Sequence, residues 1–278
     1  MSEADRDRAA PIRATIRPLS VAYDLGAITR MMLPAEAGPV PPEVSRYLLG
    51  VAEGTRKLVR KTLIEASEHG RLEDVLAALE ILGVQIAAAY EEQLARQRRA
   101  SLELDRELAT VECRKGCSYC CSIRISATVL EVARIANASS SGRFPDRRMA
   151  VFASADALAG LDAAGHLSQG RKCPFLIEDA CSIHEIRPVT CRALLSRSAR
   201  ACERQFRNLD QTEERVPLPS LATPRLLAAG FINGEVAAMR DLGLAGHLVE
   251  LTSSLALLSR DPTALVRWLR GEDVFTRP

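Results

Sequence analysis

The chain has 278 residues, of which 47% are apolar, 26% charged and only 4% aromatic. This profile suits a globular chain able to bury a core and excludes disorder throughout. The formal net charge of +2 gives no overall field toward nucleic acid or anionic lipid, so no nucleic acid is expected as a partner. Among the cations there are four lysines (Lys57, Lys61, Lys115 and Lys172) and 33 arginines. Arginine is also an ordinary helix former, so its abundance marks no anion site by itself.

The first residues carry Pro11, Pro18, Pro34, Pro39, Pro41 and Pro42 with few periodic apolars, and 1–42 reads as an extended lead-in. Glu3, Asp5, Arg6, Asp7 and Arg8 leave no apolar signal-peptide region. No apolar run approaches the roughly 20 residues of a bilayer span. A cytoplasmic protein without a membrane partner is expected.

From Glu43 a helical pattern runs to about His69, with Gly70 in the position that ends a helix, while Gly50 and Gly54 weaken its first half. Leu72, Val75, Leu79, Leu82 and Ile86 follow a 3-4-3-4 spacing on a helix expected from Arg71 toward Glu107, its tail from Glu91 to Arg99 solvated. That stripe is too short for a sustained coiled coil and predicts packing on the preceding helix. Thr128 and Glu131 form a capping box that opens a short helix, followed by a serine-rich loop from Asn137 to Gly142 and a helix from Asp146 to Leu161. Residues 173–177 and 181–183 read as a hairpin joined by a three-residue turn, Glu178 to Ala180. Pro188 sits at a first helical position ahead of a helix over Thr190 to Leu195. Pro217, Pro219 and Pro224 mark a connector. Helices are then expected over Leu226 to Met239, Leu248 to Ser259 and Pro262 to Leu269, the last capped by Asp261 and closed by Gly271. The predicted fold is mainly α, a helical bundle flanking a cysteine-rich core with a small β-hairpin. Its expected divisions are 1–42, helices in 43–110, a cysteine region over 111–205, and helices in 206–278 packing on it.

All eight cysteines fall inside that region: Cys113, Cys117, Cys120, Cys121, Cys173, Cys181, Cys191 and Cys202. In a reducing compartment such a cluster points to metal ligands or redox groups rather than disulfides. Adjacent residues such as Cys120 and Cys121 also rarely meet disulfide geometry. The first four thiols converge only if the backbone curls, and Gly116 supplies the freedom for it. The other four are separated by seven, nine and ten residues, a spacing for ligands drawn from a hairpin, a helix and the chain after it. Residues 111–205 hold fourteen Lys and Arg against nine acids, and cations offset the negative charge that four thiolates leave around zinc or an oxidised 4Fe-4S core. Zinc and iron–sulfur share the four-thiolate donor set and are not separated by spacing. Of the histidines, His69 and His247 are expected on helices far from the cysteines and His166 in a loop. His184, three residues after Cys181, is the one near the cluster.

Cys113-x3-Cys117-x2-Cys120, with Tyr119 before the third cysteine, has the spacing of a radical S-adenosylmethionine cluster loop. Here it follows a helix rather than the first strand of a barrel, and no strand-helix series comes after it. The wider pattern resembles the CxxCxxCC, or YkgJ-like, family of zinc- or iron-chelating cysteine-cluster proteins. Cys113-x3-Cys117-x2-Cys120-Cys121, Cys173-Pro174-Phe175-Leu176, Cys181-Ser182-Ile183 and Arg187-Pro188-x2-Cys191-Arg192 carry the resemblance. It extends over about 111–202, and the stretch from Arg267 to Phe275 is similar to the close of longer members. It implies a mostly helical domain that binds a metal ion or cluster, in a family that includes flagellin lysine N-methylases. At His184 the family commonly shows Tyr. No glycine-rich strand-turn-helix accompanies the motif, so a conventional S-adenosylmethionine site is not carried over. Three readings stand: a zinc- or iron–sulfur-binding protein, an iron–sulfur-dependent modifying enzyme such as a protein lysine N-methylase, and a thiol redox sensor working through Cys120 and Cys121. A protein partner is left open.

Overall fold

The computed structural model describes residues 39–68, 70–207 and 220–275, together with Ile28 and Met32. Within the expected lead-in, Ile28 and Met32 have helical backbone and Met32 is buried in the core; Pro11, Pro18 and Pro34 lie outside the described residues, as do His69, Pro217 and Pro219. The fold is mainly α, with eleven α-helices among the described residues.

Helix α1, Pro42–Ser67, buries Leu48, Ala52, Thr55, Val59 and Leu63 on one stripe and runs unbroken through Gly50 and Gly54. Helix α2, Leu72–Ala100, buries Val75, Leu79, Leu82 and Ile86, and the stripe continues through Tyr90 and Leu94 into the expected polar tail. The helix does not reach Glu107. Ser101 adopts extended dihedrals and its side chain accepts from the Leu104 N–H, ending α2 and capping helix α3, Leu102–Ala109.

Strand β1, Ser126–Thr128, pairs antiparallel with β4, Leu248–Glu250, and each strand runs straight into a helix. Thr128 caps α4, Val129–Ser140, through a complete capping box with Glu131. Glu250 caps α10, Leu251–Arg260, by accepting from the Thr252 and Ser253 N–H groups. This pairing was not predicted, because a three-residue strand carries too little alternation to register. It also moves Leu248 from the start of a helix into a strand. The expected loop from Asn137 is instead the end of α4, which runs to Ser140 before Gly142 turns with a positive φ.

Helix α5 spans Arg148–Leu158 and is shorter than expected, and α6, Ala163–Ser168, forms where a loop was predicted. Strands β2, Leu176–Ile177, and β3, Ala180–Cys181, make the hairpin, joined by two residues rather than three. Glu178 and Asp179 both have positive φ, the requirement of a tight type I′ turn. Helix α7, Val189–Ala193, follows Pro188 as its cap residue, and α8 covers Ala199–Arg207. Helix α9, Ala222–Asp241, takes Pro224 into its first turn and is buried nearly all round. Helix α11, Ala264–Leu269, closes at Gly271, φ 91°. No helix of the described residues is long and apolar enough to cross a membrane.

Helix α9 is the axis. It lies against α1 most extensively, then α7 and α2, while α4 bridges α2 and α10. Close approach of α1 and α9 depends on Gly234, where a Cβ would stand 2.5 Å from the Ala52 carbonyl oxygen. A paired charge crosses the same seam: Arg56 on α1 holds Asp241 at the end of α9 in a two-pronged ion pair, with Nη2 2.7 Å from Oδ1. The stripe on α2 therefore packs not only on α1 but also on α4 and α9. The cysteine region wraps onto α9 through α7.

Candidate metal centre

The first four cysteines sit on a loop that leaves α3 at Val111, curls at Gly116 (φ 90°) as expected, and tightens into a 3-10 helix over Tyr119–Ser122 bearing Cys120 and Cys121. A backbone bond from Cys117 N–H to the Arg114 carbonyl, 2.9 Å, closes the curl. The other four come from separate elements: Cys173 before β2, Cys181 in β3, Cys191 on α7 and Cys202 on α8. Helix α8, absent from the sequence expectation, packs on the 3-10 helix and so brings Cys202 to the first group.

Backbone bonds stitch the two groups together. The Cys173 N–H donates to the Cys121 carbonyl at 2.7 Å, and Glu112 N–H to the Ser196 carbonyl at 3.1 Å. The Ser196 N–H in turn donates to Cys113 Sγ at 3.2 Å, and the Ala199 N–H donates to Glu112 Oε2 at 2.7 Å, fixing the start of α8. The hairpin turn is pinned to the cysteine loop by Ser118 Oγ, which donates to Asp179 Oδ1 at 2.7 Å, with Lys172 on the same carboxylate. Ser118, Ser196 and Glu112 are site residues that the sequence reading missed. Ser118 was visible inside the cysteine motif, whereas nothing in the order of residues ties Ser196 to Cys113, 83 positions away.

The thiols lie close enough to act on one another's ionisation. Burial pushes Cys113 up, with Cys117 and Cys120 adding to it and the Ser196 N–H opposing. A hydrogen bond with Cys121 is the main cause that raises Cys120, followed by burial. Burial pushes Cys173 up to about 11, and Cys181 adds to this. Cys191 is raised well above the ordinary thiol value by burial and then by Cys173, Cys120 and Cys181. Cys202 is raised by burial and by Cys113, Cys120 and Cys117. The outer set is thus Cys113, Cys117 and Cys202, the inner set Cys173, Cys181 and Cys191, and Cys120 acts on members of both. Opposing these effects, the Arg187 guanidinium favours the thiolates of Cys120 and Cys181, and Arg147 that of Cys173.

No group of three or more Cys, His, Asp or Glu among the described residues is arranged to hold a metal ion as it stands. The donor set nevertheless fits one chemically. Eight thiols drawn into one region, with Arg187 and Arg147 beside three of them, form the sulfur-rich donor set that zinc or an iron–sulfur cluster takes. Of the histidines, exposed His184 opens a 3-10 helix, its pKa lowered by burial of the ring and by Arg187 and Arg192. His166 is buried on α6 rather than in a loop, and His247 lies ahead of β4 rather than on a helix, 3.4 Å from Asp273.

No curated protein and no solved structure matches the chain. Residues 112–212, which take in all eight cysteines, match the family model CxxCxxCC, described as a "putative zinc- or iron-chelating domain".

Proposed function

We propose that this is a metal-binding protein that holds zinc or an iron–sulfur cluster through the cysteines of its 112–212 domain. Its ligands are drawn from Cys113, Cys117, Cys120, Cys121, Cys173, Cys181, Cys191 and Cys202. The observation that carries the reading is geometric: the Cys173 N–H donates to the Cys121 carbonyl at 2.7 Å, the Ser196 N–H donates to Cys113 Sγ at 3.2 Å, and α8 packs on the 3-10 helix, so cysteines from a loop, a 3-10 helix, a hairpin and two helices are gathered in one region. Groups that repel once ionised are the ones a cation draws together. When bound, the metal supplies the charge that keeps the thiolates ionised, and the chain supplies the sulfur donors and the arginines that offset what remains. Each thiol that ligates would give up a proton on binding, so apparent affinity would rise with pH.

A thiol sensor needs a lowered cysteine pKa in the metal-free protein, whereas the hydrogen bond with Cys121 and burial raise that of Cys120; only a bound cation would reverse this, which favours the metal reading over the redox one. The reading also assigns the chain to a reducing compartment, such as the cytoplasm, where thiols stay unpaired. It treats 111–205 as the binding domain, with 43–110 and 206–278 as its helical support. Anaerobic purification followed by metal analysis and absorption spectroscopy tests it. At least one equivalent of metal is expected, colourless for zinc and brown for iron–sulfur. Combined zinc and iron below about 0.2 equivalents, with every thiol freely titratable, overturns it.

A further inference from the structure

Two acids are carried into the apolar centre of the bundle, Glu131 from α4 and Glu235 from α9, which is 1% exposed. Burying carboxylates there is costly unless they are hydrogen-bonded or protonated. Glu131 is half-buried and fully engaged. Its Oε2 accepts from the Thr128 N–H at 2.9 Å, completing the capping box of α4. Its Oε1 accepts from the Val189 N–H at 2.7 Å, 58 positions away, at the first residue of the helix that carries Cys191. Pro188, the cap residue of that helix, offers no side-chain acceptor, so Glu131 supplies the cap from outside. Thr190 Oγ1 adds a second strut by donating to the Ser126 carbonyl at 2.9 Å.

Glu235 is engaged on one side only. Its Oε2 accepts from Thr128 Oγ1 at 2.6 Å, while its Oε1 is buried without a hydrogen-bond partner. It lines a cavity of about 30 Å³ whose walls include Glu131, Val189, Arg134 and Arg192. A water needs about 10–15 Å³ and polar partners, and this cavity meets both conditions. The two acids are unequal: burial raises the pKa of both, but at Glu131 three donor contacts and Arg134 oppose the rise, whereas Glu235 is pushed well above the ordinary carboxylate value by burial and then by Glu131, with only the Thr128 hydroxyl opposing.

We propose that Thr128, Glu131 and Glu235 form a positioning site for Cys191, in which one water taken into the cavity satisfies Glu235 Oε1 and the Glu131 carboxylate fixes the start of α7. This rests on the metal-binding reading, in which Cys191 is a ligand. It gives that ligand a rigid mount on the helical bundle, while Cys113 and Cys117 lie on a loop.

The test is Glu131→Gln in the full-length protein, whose amide cannot accept from both the Thr128 and Val189 N–H groups. Iodoacetamide labelling of the reduced, metal-free protein, read cysteine by cysteine by mass spectrometry, is expected to show Cys191 reacting about tenfold faster with Cys113 unchanged. Zinc affinity, measured against a chromophoric chelator, is expected to fall about tenfold, within the range for supporting-shell changes. An unchanged helical circular dichroism spectrum establishes that the variant folds. If it does not, Thr190→Val removes the second strut with little change in shape and is read the same way. Labelling of Cys191 at the wild-type rate in the folded variant overturns the positioning role. A high-resolution crystal structure in which the cavity is dry overturns the water. A wild-type protein that binds neither zinc nor iron defeats the metal reading, and the labelling comparison still decides whether Glu131 holds Cys191.

Discussion

The Cys173 N–H donates to the Cys121 carbonyl at 2.7 Å, joining the last cysteine of the first group to the first cysteine of the second. The two groups, 52 positions apart by number, thereby share one backbone scaffold. This bond, unlike a thiol contact, requires neither metal nor a particular redox state. On the proposed metal-binding reading, it gives the metal-free chain a partly organised backbone frame for the site. A site of that kind binds with less loss of chain freedom than one assembled from an unfolded segment.

Cys202 lies outside the densest part of the cysteine motif. In the structure it is buried on α8, and Cys113, Cys120 and Cys117 act on it. Cys202→Ser is therefore expected to lower metal content and melting temperature together, as Cys117→Ser and Cys191→Ser should. Metal analysis alongside thermal melts of the three variants checks this. Full metal retention in Cys202→Ser would return it to the status of a buried, inert thiol.

Much of the helical frame was legible because α1 and α2 have long, regular stripes, in which each apolar residue falls three or four after the last. The capping box at Thr128 and Glu131 was legible for the same reason: it is local. What escaped was short or distant. The β1–β4 pair joins Ala127 to Val249 across more than a hundred residues with only three residues a side. Ser101 was hidden inside a helical pattern that continues on either side of it, and the second task of Glu131, capping α7, leaves no mark near position 131. At the site, the sequence reading supplied the cysteines as a set. Their division into an outer and an inner group meeting at Cys120 depends on α8, which no local periodicity announced.

Glu235 sets a pH dependence. Its folded-state pKa is raised well above the ordinary carboxylate value of 4.5 by burial and by Glu131, against the Thr128 hydroxyl. An acid with a raised folded-state pKa contributes stability that is present below its unfolded value and lost as pH climbs toward the folded one. The wild-type protein should therefore lose stability from about pH 4.5 upward relative to Glu235→Gln, which mimics the neutral acid. Melting both proteins across pH 4.5 to 8 should show the variant gaining on the wild type as pH rises; parallel curves would mean that Glu235 is not held neutral.

The glycines of the bundle divide into two kinds. A Cβ at Gly234 would sit 2.5 Å from both the Ala52 carbonyl oxygen and Thr55 Cβ, whereas at Gly50 and Gly54 it would meet nothing within 4 Å. Gly234→Ala should destabilise by about 1–3 kcal/mol through overpacking of the α1–α9 seam. Gly50→Ala and Gly54→Ala should each stabilise by up to about 1 kcal/mol, because alanine restricts the unfolded chain and favours the helix. Urea unfolding of the three variants, read as midpoints at constant slope, checks the opposite signs.

Across the same seam, Arg56 and Asp241 make a largely buried pair, with side chains 16% and 4% exposed, and Arg60 stands 3.5 Å from the same carboxylate. Removing one partner of such a pair leaves the other charge without its counter-ion, at a cost of about 3–5 kcal/mol where burial is complete. Because Arg56 retains some solvent contact and has Glu53 3.4 Å from its Nη1, Asp241→Ala, which removes the carboxylate shared by Arg56 and Arg60, is expected at the lower end, about 3 kcal/mol. Asp241→Asn should recover part of this loss, since an amide oxygen still accepts from Arg56. Arg56→Met removes one cation but leaves Arg60 within reach of Asp241, so it should cost less than Asp241→Ala. Equal losses in the two variants would show that Arg60 contributes nothing; a negligible loss in Asp241→Ala would show that packing around Gly234, not the ion pair, holds α1 on α9.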